Sequence, residues 1–594
     1  MFINTLTLAE TKKIVKKSPR LRYFEFTSNS PGTKGRIINI DYATTGIDPT
    51  LIDTSGNIFS MFYGGLNPLM YDVETGVLIF TGRILSDTKA GTKILGFGFS
   101  DDSGKSWLIQ NDLNEPDNHN FEAQFPSLVA GAKIDGIGSP IIIYSEEVGG
   151  GGDYGGDPIL LYNEMNYDES FWKWVDFHGI LPYPDLYVAS PVITTGNKIF
   201  TSFVSFTTGE DYYIVYEADV SAVSVVEPNL NSSIFPVDVP GSSEYASVYN
   251  NTAYNYVSGR HVAVGGAWDM DESSSLPRNL DRNLIYKLSS DNGASWGAPV
   301  LIEEKNIVGF PAQSFDADAF ISAWTTSMVI DPFGSVHFFV NIIETLNRQK
   351  SLIGHIGLEG GEWTLHVIDT LDFELSANET CEIGCGLTQP FVTPSGLLAL
   401  VYTAGTSRRD TLKSGMIASD LFISISNDLG ATWTEPENIT NSLGINETKI
   451  QGSPTVEVGD NGLETLHLVY LVDVEEPLGD QQGKHVYYHL AHSLSIVSAT
   501  ENEETVPISF ELVQNYPNPF NPGTTISFRL QQKSEVTLRI FNILGQEMEL
   551  LIEDVMGIGS HEVYWDASKF ASGIYYYKLT ANGKTRTNKM ILLK

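Results

Sequence analysis

Apolar and polar residues alternate with a period of two in short runs along most of the chain, as is typical of half-buried β-strands. Seven segments share one order: a strand, a short turn that usually holds glycine, and a second, more apolar strand. They start at Asn67, Phe125, Ser190, Tyr245, Thr326, Gln389 and Ser453. Because no long apolar pattern with a period of 3.6 residues occurs, the sequence predicts an all-β protein.

The seven segments start roughly 55 to 80 residues apart. One such unit alone would expose its sheet edges and an apolar face, whereas radial packing of several units buries both. The spacing is compatible with four-stranded blades that carry extended loops. We therefore predict a β-propeller with seven blades, with six blades as the alternative.

Three copies of the frame S-x-D-x-G-x-x-W, here named the SDGW segments, lie among runs of strand-forming residues. Their framework residues are Ser100, Asp102, Gly104 and Trp107, then Ser289, Asp291, Gly293 and Trp296, then Ser426, Asp428, Gly430 and Trp433. An Asp carboxylate can accept backbone N–H groups across a turn, and glycine can take a positive φ. The tryptophan can fold its ring over the hairpin. The sequence predicts three structural hairpin turns.

The SDGW segments resemble the Asp-box, or BNR repeat, of sialidase-like β-propellers. The resemblance covers roughly residues 21–495 and implies that these turns lie on the blade periphery, away from the axis where propellers bind ligands. Hydrolases, binding modules and scaffolds all use this fold, so the resemblance leaves the activity open.

The pattern changes after an acidic and polar stretch, residues 496–508, which we interpret as a linker. Residues 509–594 contain short alternating strands with turn residues at PNP, LGQ and ASG. About seven strands predict an immunoglobulin-like β-sandwich.

Four elements of this tail, in order, are YPNPFNP, NILGQ, W-D followed by SGIYYYKL, and the basic and apolar end KMILLK. They resemble the C-terminal sorting domain of proteins exported by type IX secretion in Bacteroidota and related phyla. The matching motif residues are Tyr516, Pro517, Asn518, Pro519, Gly545 and Gly573. The resemblance implies the type IX machinery as partner and the extracellular space or outer-membrane surface of a bacterium as location. Such a tail is a receptor-read signal and no membrane anchor. A fibronectin-like module is the alternative.

Residues 1–20, MFINTLTLAETKKIVKKSPR, lack the apolar core of roughly 7 to 15 residues that a signal peptide contains. Type IX cargo first crosses the inner membrane with such a peptide, so we expect the natural start to lie upstream. No apolar run approaches the roughly 18 residues that a membrane helix needs, and no transmembrane segment is predicted.

The charge is strongly negative and lies outside the tail. The chain has 36 Lys and Arg residues and 73 Asp and Glu residues, which gives a net charge of −37. Residues 509–594 hold nine of the basic and eight of the acidic residues. The remainder of the chain therefore holds 27 basic and 65 acidic residues, a net charge of −38. Such a surface repels phosphate backbones and anionic lipid, which argues against nucleic acid and membrane-surface partners. The acidic clusters WDMDE and FDADAF match no full EF-hand, and no cofactor or metal site is predicted, with Ca²⁺ as the alternative.

Cysteine and histidine add little chemistry. Cys381 and Cys385 either close a small disulfide loop or are two thiols, and both interpretations stay open. In a strand, His485 and His489 share one face and His492 points to the other, so we interpret all three as strand residues.

A sialidase needs three arginines that hold the substrate carboxylate, an Asp acid/base, and a Tyr nucleophile assisted by Glu. Residues 84–259 contain no Arg, and the family's early F-R-I-P motif is missing. A triad of Arg36 or Arg83 with Arg260 and Arg348 has no supporting local pattern. We therefore predict no catalytic residues.

The sequence thus predicts a non-catalytic binding or surface structural protein that takes an extracellular glycan or protein ligand. An exo-acting glycoside hydrolase of sialidase type is the alternative. Asp316 and Asp318, in the loop before the fifth unit, and Arg260 are the predicted binding residues.

Overall fold

The fold is built from short antiparallel β-sheets, as seen in a computed structural model of the 594-residue chain. The structure describes residues 49–55, 67–84, 94–110, 113, 122–134, 137–147, 157–163, 172–176, 186–188, 192–193, 198–205, 211–219, 222–224, 249–257, 259, 261–269, 282–311, 319–321, 326–344, 350–372, 388–405, 418–442, 445–459, 462–473, 485–494, 510–512, 515, 518, 520–530, 534–542, 546–557, 559–581 and 584–593. These residues form nine sheets and no α-helix, which confirms the all-β prediction.

Seven sheets, S1 to S7, follow one another along the first 494 residues. Sheet S1 contains β2 (Leu69–Asp72), β3 (Val77–Ile84), β4 (Ile94–Ser100) and β5 (Leu108–Gln110). Sheet S2 contains β6 (Glu122–Ile134), β7 (Ile137–Glu147), β8 (Asp157–Asn163) and β9 (Trp172–Asp176). Sheet S3 contains β10 (Leu186–Val188), β11 (Val192–Ile193), β12 (Lys198–Ser205), β13 (Asp211–Asp219) and β14 (Ala222–Ser224).

The next four sheets repeat the arrangement. Sheet S4 contains β15 (Tyr249–Tyr254), β16 (Val262–Asp269), β17 (Arg282–Ser289) and β18 (Val300–Ile302), followed by a 3-10 turn at Glu304–Asn306. Sheet S5 contains β19 (Ala319–Ile321), β20 (Ser327–Ile330), β21 (Val336–Glu344), β22 (Lys350–Glu359) and β23 (Glu362–Asp372). Sheet S6 contains β24 (Thr388–Val392), β25 (Leu398–Gly405), β26 (Ser419–Ser426) and β27 (Glu437–Asn438). Sheet S7 contains β28 (Glu447–Gly452), β29 (Glu457–Val458), β30 (Glu464–Asp473), β31 (His485–Leu494) and, from the start of the chain, β1 (Thr50–Ser55).

Each of the seven predicted segments forms an antiparallel strand pair, which confirms the strand–turn–strand interpretation. The pairs are β2–β3, β6–β7, β11–β12, β15–β16, β20–β21, β24–β25 and β29–β30. Since the second strand of each pair also bonds to a third strand, both of its edges are hydrogen bonded, and its apolar composition reflects burial.

Hydrophobic cores lie between several pairs of neighbouring sheets. Leu128 and Ile142 of S2 pack with Ile79 of S1, and Phe339 of S5 packs with Tyr402 of S6. Similar cores join S4 to S5 and S6 to S7. The last of these cores joins S7 to S1 and also contains Ile52 of β1. Sheets S1, S5, S6 and S7 therefore each bury both faces against two neighbouring sheets.

Strand β1 belongs to the far end of the chain. It pairs antiparallel with β31, with Thr50 opposite His489 and Ser55 opposite His485. The first described strand thereby completes the last of the seven sheets, a pairing across more than 400 residues that no local pattern specifies.

The tail forms two further sheets. One contains β32 (Phe510–Leu512), β33 (Gly523–Leu530) and β36 (Gly559–Asp566), and the other contains β35 (Glu547–Met556), β34 (Ser534–Asn542), β37 (Gly573–Ala581) and β38 (Lys584–Leu592). Both sheets contribute to one hydrophobic core, in which Trp565 is only 1% exposed. The Trp565 indole N–H donates to Glu549 Oε2 at 2.9 Å, so the buried ring keeps a hydrogen-bond partner.

Candidate functional site

A cavity of about 80 Å³ lies where strands of several sheets meet. Residues of β15, β20 and β24 line it, together with Asn67 just before β2 and Pro454 just after β28. Five of the seven sheets therefore contribute to one cavity, although the lining residues are spread over nearly 400 positions of the sequence.

Hydrogen bonds hold the strands around this cavity in place. The Asn255 amide donates to the carbonyl of Ile330 at 3.1 Å and also to that of Asp331, while Val257 N donates to Asn255 Oδ1 at 2.9 Å. The hydroxyls of Ser327 and Thr388 bond to each other at 3.0 Å. Side chains of S4, S5 and S6 are thereby fixed to one another, which makes the cavity a preorganised feature.

The described lining residues carry hydroxyl, amide, aromatic and aliphatic groups, and none of them is charged. Thr252 is only 6% exposed, and its hydroxyl has no hydrogen-bond partner among the described residues. Gln389 is also buried, and its amide donates to the adjacent Pro390 carbonyl at 3.3 Å, its one hydrogen bond among the described residues. A buried hydroxyl without a partner leaves hydrogen-bonding capacity that a ligand can use.

The SDGW segments form three equivalent turns, each between the third and fourth strands of its sheet. Asp102 Oδ1 accepts from Ser106 N at 2.9 Å and from the Ser100 hydroxyl at 2.8 Å, and Ser100 Oγ accepts from Gly104 N at 2.9 Å. The corresponding hydrogen bonds recur in the other two segments, with donor–acceptor distances that differ by no more than about 0.2 Å. The Trp107 indole donates to Gly104 O at 3.1 Å. The hydrogen bonds that shape each turn therefore form between residues of the same segment.

Backbone conformation and electrostatics follow from these bonds. Gly104, Gly293 and Gly430 have φ values of 84°, 78° and 94°, a left-handed conformation that suits glycine. Hydrogen bonds from the Ser295 hydroxyl and backbone N–H lower the pKa of Asp291 to about 2. Although burial opposes the shift, hydrogen bonds from Ser106 also lower the pKa of Asp102. Both carboxylates are ionised at neutral pH and in mild acid.

The first SDGW segment packs against a pair of buried histidines in S7. His467 Nδ1 lies 3.1 Å from His489 Nε2, and His467 Nε2 lies 2.8 Å from Glu457 Oε2. Gly104 covers His489 so closely that a Cβ atom would overlap the imidazole ring. The hydroxyl of Ser103 donates to Glu457 Oε1 at 3.1 Å, which extends the contact across the S7–S1 junction.

The third SDGW segment packs against a second histidine pair in the same way, this time in S5. His337 Nδ1 lies 2.8 Å from His355 Nε2, and His337 Nε2 lies 3.4 Å from Asp331 Oδ2. A Cβ atom on Gly430 would overlap the His355 ring. The two junctions share one arrangement of a carboxylate, two stacked imidazoles and a left-handed glycine from the next sheet.

Strand register produces both pairs. Val469 lies opposite His489 and Phe339 lies opposite His355, so His467 and His337 are each the diagonal neighbour, two residues before the position opposite the partner. The interpretation of His485 and His489 as strand residues agrees with their place on β31. The pairing of His489 with His467 was not predicted.

A sequence signal for the pairs does exist. His337 and His467 each stand in the first half of the second strand of a predicted unit, in SVHFFV and TLHLVY. They follow the glycine of the preceding turn by three and five residues. A histidine early in the corresponding strand of two units indicates similar places in two sheets.

All three predicted binding residues, Asp316, Asp318 and Arg260, lie outside the described residues. Cys381 and Cys385 also lie outside them. Of the four arginines weighed for a sialidase triad, Arg83 is described and is buried in β3, and it does not line the cavity. Arg36, Arg348 and the Ca²⁺ candidates in FDADAF up to Asp318 lie outside the described part.

The sorting motif is described in part. Asn518 Oδ1 accepts from Ile591 N at 2.9 Å, so it ties the beginning of the tail to its last strand, and Gly573 begins β37. The remaining motif residues, Tyr516, Pro517, Pro519 and Gly545, lie outside the described residues.

The described residues contain neither a metal-binding cluster nor a membrane-spanning helix. They contain no group of three or more His, Cys, Asp or Glu side chains arranged to hold a metal ion. Within the same residues, no helix has the length and apolar character needed to cross a membrane.

Residues 514–593 match the model of the secretion system C-terminal sorting domain. This match confirms the predicted type IX sorting domain. It implies that the protein interacts with the type IX machinery and is exported to the cell surface or the extracellular space. No curated protein matches the chain.

Solved structures of low identity resemble the chain over most of its length. They include PorZ, described as an essential bacterial surface component of the type IX secretion system of Porphyromonas gingivalis, with 13% identity, a TM-score of 0.34, and coverage of 89% of this chain and 60% of PorZ. Polysaccharide lyase Uly1 has 12% identity, a TM-score of 0.41, and coverage of 72% and 90%. The α-L-arabinofuranosidase Arb93A of Fusarium graminearum has 11% identity, a TM-score of 0.36, and coverage of 76% and 99%. The chain thus spans about 60% of PorZ, and none of these likenesses carries a functional argument.

Proposed function

We propose that the protein is an exported, non-catalytic β-propeller that binds an uncharged extracellular ligand in the cavity lined by β15, β20 and β24. A neutral glycan is the first candidate for this ligand. The observation that carries the proposal is the cavity itself, because uncharged residues from five sheets converge there.

Contacts between the sheets support a closed ring of seven blades. Strand β2 contacts β6 and β28, β11 contacts β6 and β15, β20 contacts β15 and β24, and β24 contacts β28. Each of the seven sheets thus contributes a strand that touches the sheets before and after it. The pairing of β1 with β31 supports closure further, since it joins the two ends of the body within one sheet.

The organisation of the tail supports an immunoglobulin-like sandwich. Seven strands form a three-stranded and a four-stranded antiparallel sheet, and both sheets share one core around Trp565. Two antiparallel sheets with inward-facing apolar residues are the architecture of such domains.

The chemistry of the lining supports a neutral ligand. Ring faces such as those of Tyr254, Tyr256 and Phe391 suit the apolar face of a sugar, and the Thr252 hydroxyl and the Gln389 amide suit its hydroxyl groups. A charged ligand would be desolvated there without a countercharge among the described lining residues.

The proposal is tested with the purified full chain on an array of neutral and sialylated glycans, with fluorogenic sialosides assayed in parallel. Thr252→Val removes one buried hydroxyl without changing side-chain shape, so binding should weaken about tenfold while the fold is retained. Gln389→Ala should weaken binding similarly, and Thr370→Val on the exposed part of β23 is the matched control. Each measurement is made in Ca²⁺ and in chelator, because the Ca²⁺ alternative is a separate prediction.

Two outcomes would contradict the proposal. Glycan binding that is equal in wild type, Thr252→Val and Gln389→Ala would place the ligand elsewhere. Sialoside turnover by the wild type that disappears in Arg260→Ala would show that the protein is an exo-acting glycoside hydrolase of sialidase type and not a binding protein.

A further inference from the structure

We propose that the two buried histidine pairs hold the first and third SDGW segments against the neighbouring sheet at neutral pH. Protonation of both histidines of a pair at lower pH releases the segment. The pairs lie at the S7–S1 and S5–S6 junctions, and their release does not depend on the proposed ligand. The basis of the proposal is the hydrogen bond between two imidazoles at each junction.

A hydrogen bond between two imidazole nitrogens requires one nitrogen to carry a proton and the other to lack one. The N–N distances of 3.1 Å and 2.8 Å leave no room for two N–H groups that face each other. Each pair therefore holds at most one imidazolium. When both rings of a pair are protonated, the hydrogen bond must break.

Burial prevents the rings from separating while the junction stays closed. His467 and His355 are fully buried and His489 is 2% exposed. The rings are stacked, with centroids 5.3 Å apart in S7 and 5.0 Å apart in S5. The outer face of each pair is covered by the glycine and tryptophan of an SDGW segment, Trp107 over His489 and Trp433 over His355. Lifting that segment is the direct route to a second proton.

Charged and titratable groups surround His489 on two sides. Asp102 of the SDGW segment attracts a proton to His489, whereas His467 opposes it. Beyond His467 lie Glu457 and Tyr71, whose ring stacks on His467 at 5.3 Å. Burial and then His467 lower the pKa of His489 to about 3, so the closed junction resists the second proton strongly.

The S5–S6 junction has a comparable surrounding. Asp331 lies beyond His337, and on the other side of His355 stands His366, whose Nε2 is 2.6 Å from Glu359 Oε1. Burial, then His337 and His366, lower the pKa of His355 well below its ordinary value. A cleft of about 300 Å³ lined by His366, Trp433 and Glu435 brings solvent to this junction.

The direction of the pH effect follows from linkage. An exposed histidine has a pKa near 6.5, whereas His355 and His489 in the closed junctions have lower pKa values, so opening takes up protons. The closed state is fully favoured above about pH 6.5 and loses stability as the pH falls below it. Two pH units below that value, at about pH 4.5, the opening constant of each junction should rise about 100-fold. Hydrogen bonds lower the pKa values of Asp102, Asp291 and Glu457, so these carboxylates take up protons at a lower pH than ordinary carboxylates do.

Hydrogen–deuterium exchange of the full chain, followed by mass spectrometry at pH 7.5 and about pH 4.5, tests the proposal. After correction for the intrinsic exchange rate, peptides covering residues 100–110 and 426–438 should open about 100-fold more in acid. His489→Gln keeps a hydrogen-bonding group and cannot titrate, so it should abolish the acid effect at 100–110 only. His355→Gln should abolish it at 426–438 only, and His561→Gln in the tail is the control that should change neither.

Equal acid acceleration in wild type and in both Gln variants would overturn the proposal. If a variant fails to fold, the wild-type measurement still decides. The proposal is wrong if the SDGW segments of the wild type open no more at about pH 4.5 than at pH 7.5. A general loss of protection, equal in all peptides, would likewise contradict a local release.

Discussion

Replacing Gly104 with alanine tests how the SDGW segments contribute to the contact between sheets. Gly104 has a φ of 84°, and a Cβ atom added to it would overlap the ring of His489. The left-handed conformation costs an alanine roughly 1–2 kcal/mol. Overpacking a buried contact costs about 1–3 kcal/mol more. Gly104→Ala should therefore lower the free energy of unfolding by about 2–5 kcal/mol.

A matched control separates the two contributions. Gly462 has a φ of 77°, and no atom of the described residues lies within 4 Å of its added Cβ, so Gly462→Ala should cost only the roughly 1–2 kcal/mol of conformational strain. Gly430→Ala should behave like Gly104→Ala, because its Cβ would overlap His355. Urea unfolding followed by tryptophan fluorescence measures all three variants.

The partner of the overlap is identified by a double-mutant cycle. In a His489→Ala background the ring that Gly104→Ala would strike is absent, so the second substitution should cost only about as much as the Gly462 control. A coupling energy of at least about 1 kcal/mol is expected. The reasoning fails if Gly104→Ala costs no more than Gly462→Ala, or if its cost is the same with and without the His489 ring.

The remaining predictions concern the SDGW hydrogen bonds and the tail. Asp102→Ala removes three hydrogen bonds, from Ser100 and Ser106, and should destabilise the fold by about 1–2 kcal/mol in thermal or urea unfolding. It should leave glycan affinity unchanged, since Asp102 does not line the cavity; normal melting with lost binding would show that the segment is a functional site. Deleting residues 509–594, after the predicted linker at 496–508, should trap the body in the periplasm of cells with a working type IX system. Secretion of the truncated chain would refute the sorting role.

Local features of this protein could be predicted from its sequence because neighbouring residues specify them. Alternating runs such as LVAGAKIDGIGSPIIIY predict strand pairs, since polarity with a period of two requires one buried face. The SDGW frame contains every donor and acceptor of its own turn within about eight residues, so Ser426, Asp428 and Gly430 specify the turn wherever it stands. The sorting domain was also predicted, because its motifs lie in order within one short segment.

The cavity and the histidine pairs depend on tertiary structure. Thr252, Ser327 and Gln389 line one cavity only because strands from different sheets converge, and no local pattern encodes that convergence. His489 stands in KHVYYHLAH as an ordinary strand residue until the register of β30 and β31 brings His467 beside it. Gly104, 385 positions earlier in the chain, then covers the pair. Local hydrogen bonding and side-chain period are properties of adjacent residues, whereas the register between strands and the packing between sheets depend on the whole chain.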